Sequence, residues 1–205
     1  LAACCMGTMT SCSDFLDASN KSNVTDKQTF ATKEGFNSLV NDAYQHLQNV
    51  YAAPLFTSCF SAGTDMYADA RNKMNEPLNT YETLTPENTD IKNLYTYLYA
   101  GIRAANSVSY YAQTAQVDDK TKSQLVGEAR VLAAYEYYLL VNNFGGVPIM
   151  KDFLTTAGTG YPKSSAEDVY AYIISELEDV IGKNVLQAST ATKGGGRISQ
   201  ETAKA

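Results

Sequence analysis

"GEARVLAAYEYYLLVNNFGGVPI", Gly127 to Ile149, is the stretch on which the fold turns. Ala129, Leu132, Leu139 and Leu140, with Leu125 just upstream, fall on one helical face rather than on the alternating positions of a strand. Asp118-Asp119 give an acidic opening, and Gly145-Gly146 followed by Pro148 give a stop. The spacing therefore predicts one long helix running to about Asn143. "VPIM" after the glycines reads as a short extended piece. Tyr135, Tyr137 and Tyr138 stand on the same helix. Aromatic residues at helical spacing usually pack, so they are assigned to packing, as are Tyr110 and Tyr111.

Helical patterns continue on both sides. Upstream, Thr32 is a plausible N-cap, and Phe36, Leu39, Val40, Ala43, Tyr44, Leu47, Val50 and Tyr51 recur at i, i+3, i+4 and i+7 until Pro54. Residues 55–70 predict a weaker helix interrupted near Gly63. "DARNKMNEPLNTYETLTPEN", Asp69 to Asn88, reads as a loop. Its end, Thr85-Pro86-Glu87, supplies cap, first-position proline and first-turn acid. A helix over about 90–113 should follow, with Ile91, Leu94, Tyr95, Leu98, Ile102 and Ala105 facing inward.

Downstream, 155–163 is loop. Ser164 and Glu167 have capping-box spacing. Val169, Ile173, Leu177, Val180 and Ile181 form the face of a helix to about Val185. "QASTATKGGGRIS" reads as a flexible loop, and "SQETAKA" opens another helix. No long alternating strand pattern occurs, so the fold class is all-α. Long helices joined by turns predict antiparallel helix pairs, as in bundles and helical repeats. No clean 34-residue repeat carries the consensus tetratricopeptide residues.

Composition narrows function. The 205 residues suit one ordinary domain, and 44% hydrophobic residues suffice for a core. The net charge of −6, without a basic stripe, argues against nucleic acid, whose phosphates need Lys and Arg. Fifteen tyrosines and no tryptophan suit both helix packing and wet interfaces. Cys4, Cys5, Cys12 and Cys59 form no C-x-x-C pair, and the one histidine, His46, stands apart. Zinc and a disulfide framework are therefore not expected. "KGGGR" lacks the spacing and trailing Lys-Ser/Thr of a phosphate loop. No cofactor is implied.

The N-terminus points to a membrane surface. Leu1 to Ser11 is small, uncharged and mildly apolar, and too short to span a bilayer, which takes about 20 apolar residues. Thr10-Ser11 before Cys12 resembles a bacterial lipoprotein lipobox, with Met9 where Leu is commonest. Residues 1–11 are expected to be the remnant of a signal peptide, and Cys12 the lipidated anchor. Residues 12–31 are expected to be tether and entry segment, and 32–205 an incomplete helical domain.

Four pieces together resemble the SusD/RagB family of Bacteroidetes outer-membrane lipoproteins. They are "CSDFLD" (Cys12 to Asp17), "IRAAN" (Ile102 to Asn106), the Gly127–Ile149 stretch, and "SSAEDVYAYIISELEDVI" with "GGRIS". Their order matches the family and covers essentially the whole chain; the third piece is the most specific. Leu132-Ala133-Ala134 departs from the family's usual Leu-Arg-Ala, so packing there should differ. The resemblance implies a tetratricopeptide-like scaffold on the cell surface. It also implies capture of glycans, or in some members peptides, for a TonB-dependent barrel transporter, without enzymatic activity. Family members are much longer, so the likeness is to an N-terminal portion.

The candidate ligand residues lie on the loop between the first helices: Asp65, Tyr67, Asp69, Arg71, Asn75 and Tyr81. Binding residues concentrate on loops held by rigid scaffolds. Aromatic faces stack on the apolar face of a pyranose, while amides, carboxylates and guanidinium groups bond its hydroxyls. The family commonly places a Trp in this region; here Tyr67 or Tyr81 would serve. A plain polar loop is the equal alternative. Arg103 and Asn106 are expected to tie their helix to a neighbouring loop, and Glu128 and Arg130 to form ion pairs. His46 should be a surface or satisfied residue and Cys59 a small buried hydrophobe.

The leading expectation is thus a lipid-anchored glycan-binding lipoprotein serving a TonB-dependent transporter. A helical adaptor for a protein partner is the alternative. A glycoside hydrolase ranks last, because the acids are scattered rather than paired across a cleft.

Overall fold

The computed structural model describes residues 26–52, 54–67, 76–156, 158–192 and 196–205. Cys12, Asp69, Arg71 and Asn75 lie outside the described residues, as does most of the expected tether. Among the described residues the chain forms α1 (Asp26–Ala31), α2 (Lys33–Tyr51), α3 (Leu55–Phe60), α4 (Glu76–Thr80) and α5 (Thr89–Tyr111). These are followed by α6 (Asp119–Phe144), α7 (Ala166–Lys183), α8 (Ser189–Thr192) and α9 (Gln200–Lys204). No sheet forms among them; the one bridge joins Thr64 and Tyr67.

Two expected caps stand as read. Thr32 Oγ1 accepts from Gly35 N at 3.1 Å to start α2. Asp118 accepts from Thr121 N at 2.9 Å to start α6, and these bonds hold its carboxyl below the usual range. The Gly145 stop also holds. Its φ of 69° is a left-handed value open to glycine, and its N–H closes the last turn on Val141 O.

Two caps move. The helix after the loop starts at Asn88, not at Thr85-Pro86-Glu87. Asn88 Oδ1 accepts from both Asp90 N and Ile91 N, whereas Thr85 O takes only the Asn88 N–H in a turn. The α7 capping box is Ser165 with Asp168, one residue beyond Ser164 and Glu167; both reciprocal bonds are present there. Short helices also occupy parts of the segments read as loop or entry: α1, α4 and α8. The weak helix at 55–70 ends at Phe60.

The long helices alternate in direction. α5 runs against α6, because Tyr95 meets Phe144 and Tyr99 meets Tyr137. α6 runs against α7, because Arg130 pairs with Glu176 and Asp179, while Asn142 accepts from Tyr170. α2 and α6 run parallel in one register: Tyr44 bonds Glu128, and Tyr51 bonds Tyr135, both 84 residues on. These are antiparallel helix pairs with like helices stacked, the tetratricopeptide-like arrangement.

α6 is the central helix. Ala129, Leu132, Ala134, Tyr137, Leu140 and Val141 are buried, and α2, α5 and α7 pack around it. Burying each large apolar side chain contributes about 1.5–3 kcal/mol. The "VPIM" segment is extended and strapped onto α5 and α6. Tyr99 Oη donates to Pro148 O, Asn106 Nδ2 to Met150 O, and Met150 N to Tyr137 Oη. Asn106 is therefore a tie to the neighbouring loop, as expected.

Two buried carboxylates on α6 contrast. Glu128 is fully buried and saturated: it accepts from Arg197 Nε at 2.8 Å, Tyr44 Oη at 2.9 Å and Gln124 Nε2 at 3.0 Å. Arg197 also lies over the Tyr44 ring. This cluster pins the 196–199 segment to α2 and α6. Glu128 and Arg130 thus each enter an ion pair, with different partners. Glu136 is equally buried, yet neither carboxylate oxygen has a partner. It lies against Gly101 of α5, where a Cβ would overlap the carboxylate. Burial alone raises its pKa well above the ordinary value.

Candidate functional site

The loop between α3 and α5 holds the candidate ligand residues that the structure describes: Asp65, Tyr67 and Tyr81. After Phe60 the chain turns through Gly63 at φ 75°. Thr64 Oγ1 donates to Ser61 O at 2.7 Å, and Tyr67 N–H reaches back to Thr64 O. This tight turn pushes Asp65 and Met66 outward and leaves Tyr67 38% exposed.

The chain returns through α4, and Tyr81 follows with φ 62° and 58% exposure. A tyrosine at positive φ is strained by about 1–2 kcal/mol, because its Cβ crowds the following carbonyl. Such strain concentrates at functional sites. The two limbs of the loop meet here: a Cβ on Gly63 would collide with the Tyr81 hydroxyl and the Leu78 carbonyl. Only glycine admits this approach. The structure therefore brings Tyr81 against the turn that precedes Asp65 and Tyr67. Two exposed phenol rings and a carboxylate result, the groups that stack on a sugar ring and bond its hydroxyls. Nothing in the sequence marks the strained φ of Tyr81.

A second concavity lies elsewhere. A cleft of about 460 Å³ opens between α5 and residues 150–161, lined among others by Tyr99, Arg103, Asn106, Asp152 and Tyr161. Arg103 sits over the Phe153 ring at 4.9 Å, so it too ties α5 to the following segment. Burial and a hydrogen bond with Tyr95 push the Tyr99 hydroxyl up, and it remains a proton donor to Pro148 O. Tyr161 carries no periodic signal in the sequence.

The remaining polar candidates are structural. His46 Nε2 lies 3.8 Å from Asp42 Oδ2, beyond hydrogen-bond reach, and its Nδ1 is buried without a partner. Cys59 is partly rather than fully buried. Its thiol is pushed up to about 11 by burial and by Asp90, which keeps it un-ionised near neutrality. Among the described residues no cluster of three or more His, Cys, Asp or Glu could hold a metal, and no helix is long and apolar enough to cross a membrane. The tyrosines assigned to packing divide. Tyr137 is buried, but Tyr135 and Tyr138 are 38% and 48% exposed, because they point away from α5 on the outer face of α6.

The fold defines a class: an all-helical, tetratricopeptide-like scaffold that carries a tyrosine-bearing loop at one end. The chain belongs to the SusD-like family, described as starch-binding and associating with the outer membrane, whose model matches residues 14–203. It is 27% identical over 179 residues to SusD-like protein P38 of Formosa agariphila, covering 85% of this chain and 34% of that protein. Surface glycan-binding protein A from Bacteroides uniformis superimposes with a TM-score of 0.65 at 25% identity, covering 83% of this chain and 39% of that one. Its namesake from Bacteroides thetaiotaomicron, solved in complex with laminarihexaose, gives 0.63 at 21% identity, covering 84% and 37%. The chain thus spans about a third of the length of the curated relative it matches.

Proposed function

We propose that this chain is part of a cell-surface lipoprotein that captures oligosaccharides and passes them to a TonB-dependent outer-membrane transporter. Cys12 is the lipid anchor in this reading. The ligand residues are Asp65, Tyr67, Asp69, Arg71, Asn75 and Tyr81. Capture proceeds by ring stacking and hydrogen bonding, and no bond is broken. Membership of a family described as starch-binding supports the ligand class, as does a structural neighbour solved with laminarihexaose. The observation that carries the choice of site is Tyr81, an exposed aromatic held at a strained φ against a glycine turn.

Isothermal titration of the full-length protein against starch- and laminarin-derived oligosaccharides tests both parts. Binding to one of them is expected, weakened at least tenfold by Tyr81→Ala or Tyr67→Ala, which corresponds to about 1.4 kcal/mol. Failure to bind across a broad glycan panel overturns the ligand class, and unchanged affinity in both variants moves the site off this loop. Gentle solubilisation of the outer membrane tests the partner. A TonB-dependent barrel should co-purify in near-equal amount; a soluble protein in its place would favour an adaptor. Cys12→Ala should release the protein from the membrane fraction.

A further inference from the structure

Two tyrosines of this chain are seated in the same way. A Cβ on Gly63 would overlap the Tyr81 hydroxyl, and a Cβ on Gly158 would overlap the Tyr161 hydroxyl. Both rings are exposed, Tyr81 at 58% and Tyr161 at 41%. Gly160, next to Tyr161, takes φ 80°, a left-handed value open to glycine. The two glycines thus let the Tyr161 ring fold back over its own loop. There it lines the cleft of about 460 Å³ between α5 and residues 150–161. That volume lies in the usual range of small-molecule sites.

The polar groups of this cleft are uncommitted. Arg130 and Arg197 are each locked to carboxylates. Arg103 has no hydrogen bond or ion pair among the described residues and rests on the Phe153 ring. Asp152 is exposed in the same cleft and has none either. Asn106 gives its amide N–H to Met150 O, which leaves its Oδ1 without a partner among the described residues. Thr155 adds an exposed hydroxyl. Ile102, Met150 and Leu154 supply an apolar wall, buried or half-buried.

We infer that this cleft is a second saccharide-binding site, with Tyr161 as its stacking ring and Arg103, Asp152 and Asn106 as partners for hydroxyl groups. The chemistry of the lining selects this class. An anion would meet the Asp152 carboxylate, and a cation would meet the Arg103 guanidinium. A wholly apolar ligand would take water from both, at a cost that no new bond offsets. A pyranose carries hydroxyls that both donate and accept, and C–H faces that suit the ring and the apolar wall. None of Asp65, Tyr67 and Tyr81 lines this cleft. The inference therefore rests on the ligand class proposed above, but not on the residues of the loop.

Protection from alkylation in the full-length protein tests it. Thr156→Cys places a thiol on the exposed lining of the cleft, and mass spectrometry of the peptide that carries it reads the rate. The probes are laminarihexaose and maltohexaose at saturating concentration. One of them should slow alkylation at least fivefold. Tyr81→Ala and Tyr67→Ala should leave that protection in place. Tyr161→Ala should abolish it, and Tyr161→Phe, which keeps the ring, should retain it. No protection by either sugar overturns the inference; calorimetric binding that Tyr81→Ala still weakens would then leave the loop site standing alone. Protection that vanishes with Tyr81→Ala also overturns it, because a single site centred on the loop then shields the thiol. So does protection that survives Tyr161→Ala. Protection that requires Tyr161, in a protein whose affinity neither loop variant changes, supports the cleft and removes the loop site.

Discussion

Glu136 is the residue whose replacement should change stability in the most diagnostic way. Its carboxyl group is wholly buried, both oxygens lack partners, and burial is the sole cause of its raised pKa. In the unfolded chain a glutamate ionises near pH 4.3. Above that pH the unfolded state has lost a proton that the folded state retains, so the unfolded state binds fewer protons. Stability must then fall as pH rises, from the unfolded value up through the raised folded one. The slope is about 1.4 kcal/mol per pH unit for one proton. Asp118, Asp179 and Glu201, whose carboxyls are held low, act in the opposite sense, since their contribution is lost on acidification. Comparing Glu136→Gln with the parent cancels them. The amide keeps the shape and leaves a similar unbonded polar group, but it cannot titrate. Urea denaturation of both proteins at pH 4, 5 and 6 should therefore give near-equal stabilities at pH 4. The variant should gain on the parent as pH rises from 5 to 6, by at most about 1.4 kcal/mol, the limit for one proton. A difference that stays flat with pH would refute the reasoning, because it would mean that Glu136 is ionised and compensated in the fold.

Three other outcomes follow from the same contacts. Gly101→Ala should destabilise the parent, because its methyl group needs the space of the Glu136 carboxylate. In a Glu136→Ala background the same change should become neutral or stabilising by up to about 1 kcal/mol, the ordinary helix preference of alanine, and a double-mutant cycle of thermal melts reads the coupling. Arg197→Ala leaves Glu128 buried without its cation and should cost about 3–5 kcal/mol; adding Glu128→Gln should recover part of the lost melting temperature, and no recovery would show that Arg197 acts through packing on Tyr44. Asn88→Ala should cost about 1 kcal/mol as loss of a working cap, whereas Thr85→Ala should fall within the scatter of surface substitutions; the reverse order in denaturant midpoints would restore the Thr85 cap.

Most of the scaffold is legible in the sequence because it is set by local periodicity. The buried faces of α2, α5, α6 and α7 follow from apolar residues recurring every three or four positions, and Thr32, Asp118 and Gly145 mark ends by their own chemistry. The shifted caps show the limit of that reading. Thr85 and Asn88, or Ser164 and Ser165, are both competent oxygens, and which one caps depends on where the helix axis is held by its neighbours. The short helices α1, α4 and α8 hold too few residues for a period to show.

The candidate site was legible only in its chemistry. Tyr, Asp, Arg and Asn crowded on one loop suggest recognition of a polyol, and this much the residues alone convey. The meeting of Gly63 with Tyr81, the strained φ at Tyr81 and the opposed fates of Tyr137 and Tyr138 are decided by tertiary structure. Glu128 and Glu136 make the same point within one helix. They are eight residues apart in one sequence pattern, yet one faces Arg197 across 69 residues of chain and the other faces a bare glycine. Periodicity fixes which side of a helix a residue occupies, because that depends only on backbone pitch. What waits on that side depends on how distant segments dock, and no local spacing encodes it.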